Sequence, residues 1–253
     1  MNKTLPKSTA TATTDTGFEL QHKDDWVSAN HDVYYTRSSP QTLIGKDNVN
    51  KLQVKWMLDN LNPIEQPPII VGDRGYVQDN KARVIAFDVN TGLNLWKIET
   101  GEGGTMHGMT YDDDILFAPT RHSATVVAIN ATDGRIMWKS SELAPDGIGY
   151  HVVSPPIVWK DYVVVGSAGG DQPTEGGKVQ GNITALDRTN GHILWNFQTL
   201  QVAGLDLVKH LQMEELLLGQ AVHLIRQHKF FTFLLETLHL TLMQQVDPNL
   251  LSG

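Results

Sequence analysis

The sequence predicts an all-β chain built from repeated four-stranded units, a partial β-propeller. Three observations predict it. One Ala–Gly–Trp spacing occurs three times, turn residues stand at the same place in each copy, and short apolar runs fill the intervals.

The copies are Ala86, Gly92 and Trp96, then Ala128, Gly134 and Trp138, then Ala185, Gly191 and Trp195; each Ala lies ten residues and each Gly four residues before its Trp. In each copy a short apolar strand ends at an Asx residue: Asp88, Asn130 or Asp187. A tight turn follows at Asn90-Thr91-Gly92, Thr132-Asp133-Gly134 or Thr189-Asn190-Gly191, and a second strand runs into the Trp. Gly accepts the positive φ of such a turn, and the Asx side chain caps it. Further strands are expected at 68–71, 75–78, 115–118, 157–159 and 162–166, giving about four strands per unit at Trp intervals of 42 and 57 residues. A β-sandwich with coincidental Trp hairpins would not require three matched copies.

Bulk properties narrow the function classes. The 253 residues suffice for a large core, and the formal net charge of -8 comes without a basic cluster, which argues against a nucleic-acid partner. The absence of cysteine removes disulfides and thiolate metal sites, and no apolar run is long enough to span a membrane. Residues 1–23 read as a disordered or export-related lead, polar and without the apolar centre of an intact export signal. Asn2, Asn130 and Asn182 each begin a sequon, a pattern too common to identify a compartment.

The Ala–Gly–Trp pattern resembles the tryptophan-docking repeat of the pyrroloquinoline quinone (PQQ)-dependent alcohol dehydrogenases. Asp25-Trp26, Tyr35 and the run from Ile44 to Trp56 are similar to that family's opening segment, and the resemblance covers 24–198. It implies an eight-bladed-type propeller of which this chain, over 24–199, supplies about half the blades. It also implies PQQ and calcium as cofactors and oxidation of a small-molecule alcohol or sugar. The electron acceptor would be a cytochrome or a quinone, and the location periplasmic or extracellular.

Site residues follow in part from the residues and in part from the resemblance. Gly166-Ser167-Ala168-Gly169-Gly170-Asp171 follows an apolar strand, and its small side chains would let the backbone lie close to a flat ring system. Ala168, Gly169 and Gly170 are therefore candidate cofactor contacts. In the similar family segment the acid, usually Glu, ligates the metal; here it is Asp171, one methylene shorter, and the following loop differs in length. Glu65 matches a family position that hydrogen-bonds the cofactor's rim, and His107 falls near a cofactor-contacting Arg. An acid before Pro67-Pro68 or a lone His can equally be a solvated loop residue. His122 and His151 have no metal-ligand spacing, and Asp112-Asp113-Asp114 reads as a solvated turn. The family's catalytic aspartate and remaining metal ligands match no residue of this sequence.

From Leu200 the composition changes: all six Trp, all six Tyr and 19 of 22 Gly precede it, while 14 of 27 Leu follow. Leu207, Leu211, Leu218 and Ala221-Val222 could form an amphipathic helical stripe. Back-translation read from the third base of each codon gives another picture. Residues 213–222 then yield G-G-A-T-A-W-S-G-G, and residues 233–243 yield P-T-G-N-P-S-P-D-F-N, stretches similar to the family's continuation. Residues 200–253 are thus expected to be a product of a reading-frame slip, and the chain an incomplete and inactive portion of an enzyme. The competing class is a non-catalytic scaffold, like the outer-membrane assembly lipoproteins whose PQQ-like repeats hold no cofactor. Glu65 and the Gly169-Gly170-Asp171 step favour the enzyme.

Overall fold

The computed structural model describes residue 18 and residues 21–32, 36–104, 107–143, 151–152, 154–168 and 182–198. All belong to one compact unit, residues 1–200; the tail, 201–253, lies outside the described residues.

Three antiparallel sheets follow one another along the chain. The first comprises β1 (Ile69–Val71), β2 (Arg74–Gln78), β3 (Arg83–Asp88) and β4 (Asn94–Glu99) in sequential order, and the second β5 (Thr110–Asp112), β6 (Ile115–Pro119), β7 (Val126–Asn130) and β8 (Ile136–Lys139). In the third, β9 (His151–Val152) pairs with the end of β11 (Tyr162–Ala168), beside β10 (Ile157–Trp159), β12 (Asn182–Asp187) and β13 (Ile193–Gln198). Sequential meanders of this kind are propeller blades.

Register shows that the repeat is structural. Ala86 pairs with Trp96, Ala128 with Trp138 and Ala185 with Trp195, and in each hairpin the register shifts one step after the Ala. The three Trp thus occupy equivalent positions. Gly92, Gly134 and Gly191 hold φ of 75°, 77° and 73° at the turns between third and fourth strands, where a side chain would be strained.

Those glycines have a second function, which is to receive the preceding unit's indole. A Cβ on Gly134 would lie 2.7 Å from the Trp96 ring, one on Gly191 2.4 Å from Trp138, and one on Gly92 2.8 Å from Trp56. Each indole Nε1 then donates to the carbonyl three residues before that glycine: Trp56 to Val89 at 2.9 Å, Trp96 to Ala131 at 3.1 Å, and Trp138 to Arg188 at 2.8 Å. Trp56, which the hairpin repeat alone does not include, therefore begins the series.

Alternation along the strands explains the continuous apolar runs. Val127 and Ile129 of β7 join Val84 and Ala86 in the core between the first two blades, while Val126 and Ala128 face a second core with Val163 and Leu186. A central blade has both faces covered, so both sets of alternate residues are apolar. Ile85 and Phe87 pack beneath Trp56, Leu58 and Leu61 on the first blade's outer side.

The Asp112-Asp113-Asp114 turn differs from its sequence reading as merely solvated. Arg188 of the third blade pairs with Asp112 and, at 3.5 Å, with Asp113; Asp114 accepts the Tyr111 hydroxyl at 2.9 Å. Burial first, and then this hydrogen bond to a carboxylate, push the Tyr111 phenol above its ordinary range. Arg74 makes the corresponding link from the first blade to the second, donating to the Thr132 carbonyl at 2.8 Å.

Candidate functional site

One end of the blade arc gathers the starts of the innermost strands. Gln66-Pro67, His107-Gly108 and Ser154-Pro155 stand three and two residues before Ile69, Thr110 and Ile157, the first residues of β1, β5 and β10. The blade repeat thus brings three lead-in loops to one place. Thr110 ties two of them by donating its hydroxyl to the Pro156 carbonyl.

The opening segment closes the inner side. Trp26 exchanges backbone hydrogen bonds with Ile70 at 2.7 and 2.9 Å, and Tyr111 donates its N–H to the Val27 carbonyl at 2.8 Å. The chain then turns sharply at His31, whose φ is 83°. It returns so that Arg37 donates its backbone N–H to Asn30 O at 3.0 Å and its Nε–H to Asn30 Oδ1 at 2.9 Å. Asp32 is held by Thr36 through hydroxyl and backbone contacts of 2.6 and 3.0 Å. Burial opposes its ionisation, but the Thr36 hydrogen bonds and neighbouring His31 outweigh it and keep the carboxyl below its ordinary value.

Between these segments lies a depression of about 370 Å³, lined by Ala29, Asn30 and Arg37 from the opening segment and Pro67, His107, Ser154 and Pro155 from the blades. Ala29 and the two prolines give it apolar walls; Arg37, Asn30, His107 and Ser154 supply polar groups. None of these lining residues is a carboxylate. Ser154 Oγ accepts from Gly166 N at 2.8 Å, and a Cβ on Gly166 would sit 3.2 Å from it. Close approach of Ser154 therefore suits a glycine at that strand position.

A chain of buried amides starts at Gln66, the neighbour of the lining residue Pro67. Gln66 Nε2 donates to Gln78 O at 2.8 Å, and Gln78 Nε2 donates to Pro119 O at 3.1 Å, crossing from the first blade to the second. Among the described residues Gln66 Oε1 is buried without a hydrogen-bond partner, 3.2 Å from where a Cβ on Gly108 would stand.

The sequence-predicted residues fall in three groups. His107 is exposed and lines the depression. Glu65 is exposed in the loop before β1 and is not among the lining residues. Ala168 ends β11, while Gly169, Gly170 and Asp171 lie outside the described residues. Asn30, Arg37 and Ser154 were missed. The near-copy Gln66-Pro67-Pro68-Ile69 and Ser154-Pro155-Pro156-Ile157 could have signalled Ser154; nothing in the repeat signals Asn30 or Arg37. No group of three or more His, Asp or Glu that could hold a metal converges among the described residues.

Comparison with known proteins identifies the architecture. The family model for the β-propeller domain of PQQ-containing glucose/ethanol/alcohol dehydrogenases matches residues 26–213. The chain belongs to that quinoprotein family. It is 32% identical over 184 residues to the XoxF dehydrogenase of Paracoccus denitrificans, covering 67% of this chain and 30% of that protein. It is 30% identical over 177 residues to the 1-butanol dehydrogenase (cytochrome c) of Thauera butanivorans, covering 65% of this chain and 25% of that protein. The quinoprotein fold is matched by a europium-containing methanol dehydrogenase at a TM-score of 0.62 and 23% identity, over 74% of this chain and 34% of that one. The chain therefore spans between a quarter and a third of the length of these two curated quinoprotein relatives.

Proposed function

We propose that the depression is part of a PQQ site, and that the chain contributes one wall of an enzyme oxidising an alcohol or sugar. The observation that carries this reading is the lining itself. Flat apolar walls from Ala29, Pro67 and Pro155 suit a planar ring, and the polar groups of Arg37, Asn30, His107 and Ser154 suit its carboxylates, with no acid among the described lining residues. Bound PQQ would supply the two-electron acceptor for oxidation of the alcohol to a carbonyl compound. The chain's own residues would bind, orient and dehydrate one side of it, with His107 and Ser154 at its rim.

The resemblance supports a calcium ion with Asp171 as one ligand, Glu65 at the cofactor's rim, and contacts from Ala168, Gly169 and Gly170. It also supports a periplasmic or extracellular location and a cytochrome or quinone as acceptor. Calcium takes six to eight oxygen ligands, so Asp171 alone would hold it weakly. On this reading residues from about 200 arise from a reading-frame slip, and the 253-residue chain turns over no substrate.

The test is dye-linked alcohol oxidation with PQQ and Ca²⁺ added. The reading expects no turnover by the 253-residue chain. It expects PQQ-dependent turnover once the frame at the Leu200 codon is restored and translation continues through the further blades. Turnover by the 253-residue chain, or none by the restored one, contradicts it.

A further inference from the structure

We propose that Arg37 is the anion anchor of this depression, binding a carboxylate of the occupant and selecting a polyanionic quinone over a neutral one. The inference rests on the reading that PQQ is the occupant.

Among the described lining residues Arg37 and His107 are the two with basic side chains, and a guanidinium is cationic at every working pH. Its placement is fixed from two sides by the same residue: backbone N–H to Asn30 O and Nε–H to Asn30 Oδ1. Both hydrogen bonds are made with Arg37 at φ 54°, a left-handed conformation that a non-glycine residue adopts only when its surroundings enforce it. The acid five residues before it, Asp32, accepts from Thr36 and pairs with His31 at 3.3 Å. Nη1 and Nη2 make no hydrogen bond to a described residue, and neither does Asn30 Nδ2. Among the described residues the pinned fork therefore keeps donors without a partner beside the apolar walls, an arrangement suited to a planar carboxylate.

A Lys at this position would carry the charge without the fork. Arg37→Lys should therefore retain attraction for an anion while losing part of its geometry. Arg37→Gln should lose both.

The probes are PQQ and its trimethyl ester, which keeps the ring system and removes the three negative charges. Binding to the 253-residue chain is measured by equilibrium dialysis at low ionic strength, and folding of each variant by far-ultraviolet circular dichroism. The unaltered chain should bind PQQ roughly tenfold more tightly than the ester. Arg37→Gln should bring the two affinities together by lowering that of PQQ the more, and Arg37→Lys should fall between. If Arg37→Gln does not fold, the Arg37→Lys comparison decides. Full discrimination retained in every folded variant overturns the anchor while leaving the PQQ reading intact. Failure of the unaltered chain to bind either probe overturns both.

Discussion

The indole of Trp96 lies over Gly134 of the following blade, so that a Cβ on that glycine would stand 2.7 Å from the ring. The same indole donates to the Ala131 carbonyl at 3.1 Å, which also accepts from the Tyr76 hydroxyl at 3.2 Å and Arg74 at 3.4 Å. One turn of the second blade is thus gripped by three side chains of the first. The blades are joined by this grip and by the apolar core beneath it.

Gly134→Ala should therefore be destabilising on two counts, a strained φ of 77° and a clash with the ring. The expected loss is about 1–3 kcal/mol. Trp96→Phe keeps most of the packing but removes the N–H donor, and should lose about 1 kcal/mol from the hydrogen bond. Urea unfolding measures both; an unchanged midpoint for Gly134→Ala would contradict the docking geometry.

Asp79 links stability to pH. Its buried carboxylate accepts from Asn62, Lys81 and Arg83, including Arg83 Nε at 2.7 Å. Burial opposes ionisation, yet these hydrogen bonds outweigh it and hold the carboxyl below the ordinary 3.8. A depressed folded value means the unfolded chain binds the proton first as pH falls. The stabilisation from Asp79 should be fully present above pH 3.8 and be lost below it, as pH drops through the folded value. Asp79→Asn should flatten that part of the acid-unfolding curve while lowering stability at neutral pH. An acid curve identical to that of the unaltered chain would refute the linkage.

Ser154→Ala removes the acceptor of the Gly166 N–H. Leaving that group unsatisfied should lower stability by about 1–3 kcal/mol, less where water replaces the hydroxyl. Ser154→Thr, which keeps the hydroxyl, should recover most of the loss if the added methyl is accommodated. Thermal melts of the two variants would separate the hydrogen bond from simple packing.

The repeat made the blades legible because every copy carries its own local signal. A glycine at positive φ, an Asx cap and a Trp ten residues after an Ala are all readable within eleven residues of chain. Trp56 escaped because it has no hairpin of its own and is recognised only by the Gly92 it covers. The site was less legible for the same physical reason. Asn30 and Arg37 belong to a non-repeating segment and meet Ser154 only after three blades have been placed side by side. The buried Gln66, beside the exposed Glu65, was equally hard to read, because its amide chain runs through the later residues Gln78 and Pro119. The Asp112–Arg188 link was equally hidden, since 76 residues separate its partners.

The most direct test of the central claim is hydrogen–deuterium exchange of the 253-residue chain with and without saturating PQQ. Binding at the mouth should slow exchange at Asn30, His31, Gly108 and Ile157, the amides of the opening segment and blade lead-ins. It should leave Gly92, Gly134 and Gly191, at the opposite ends of the blades, unchanged. Protection at those three turns instead, or none at the mouth, would contradict the assignment of this depression as the quinone site.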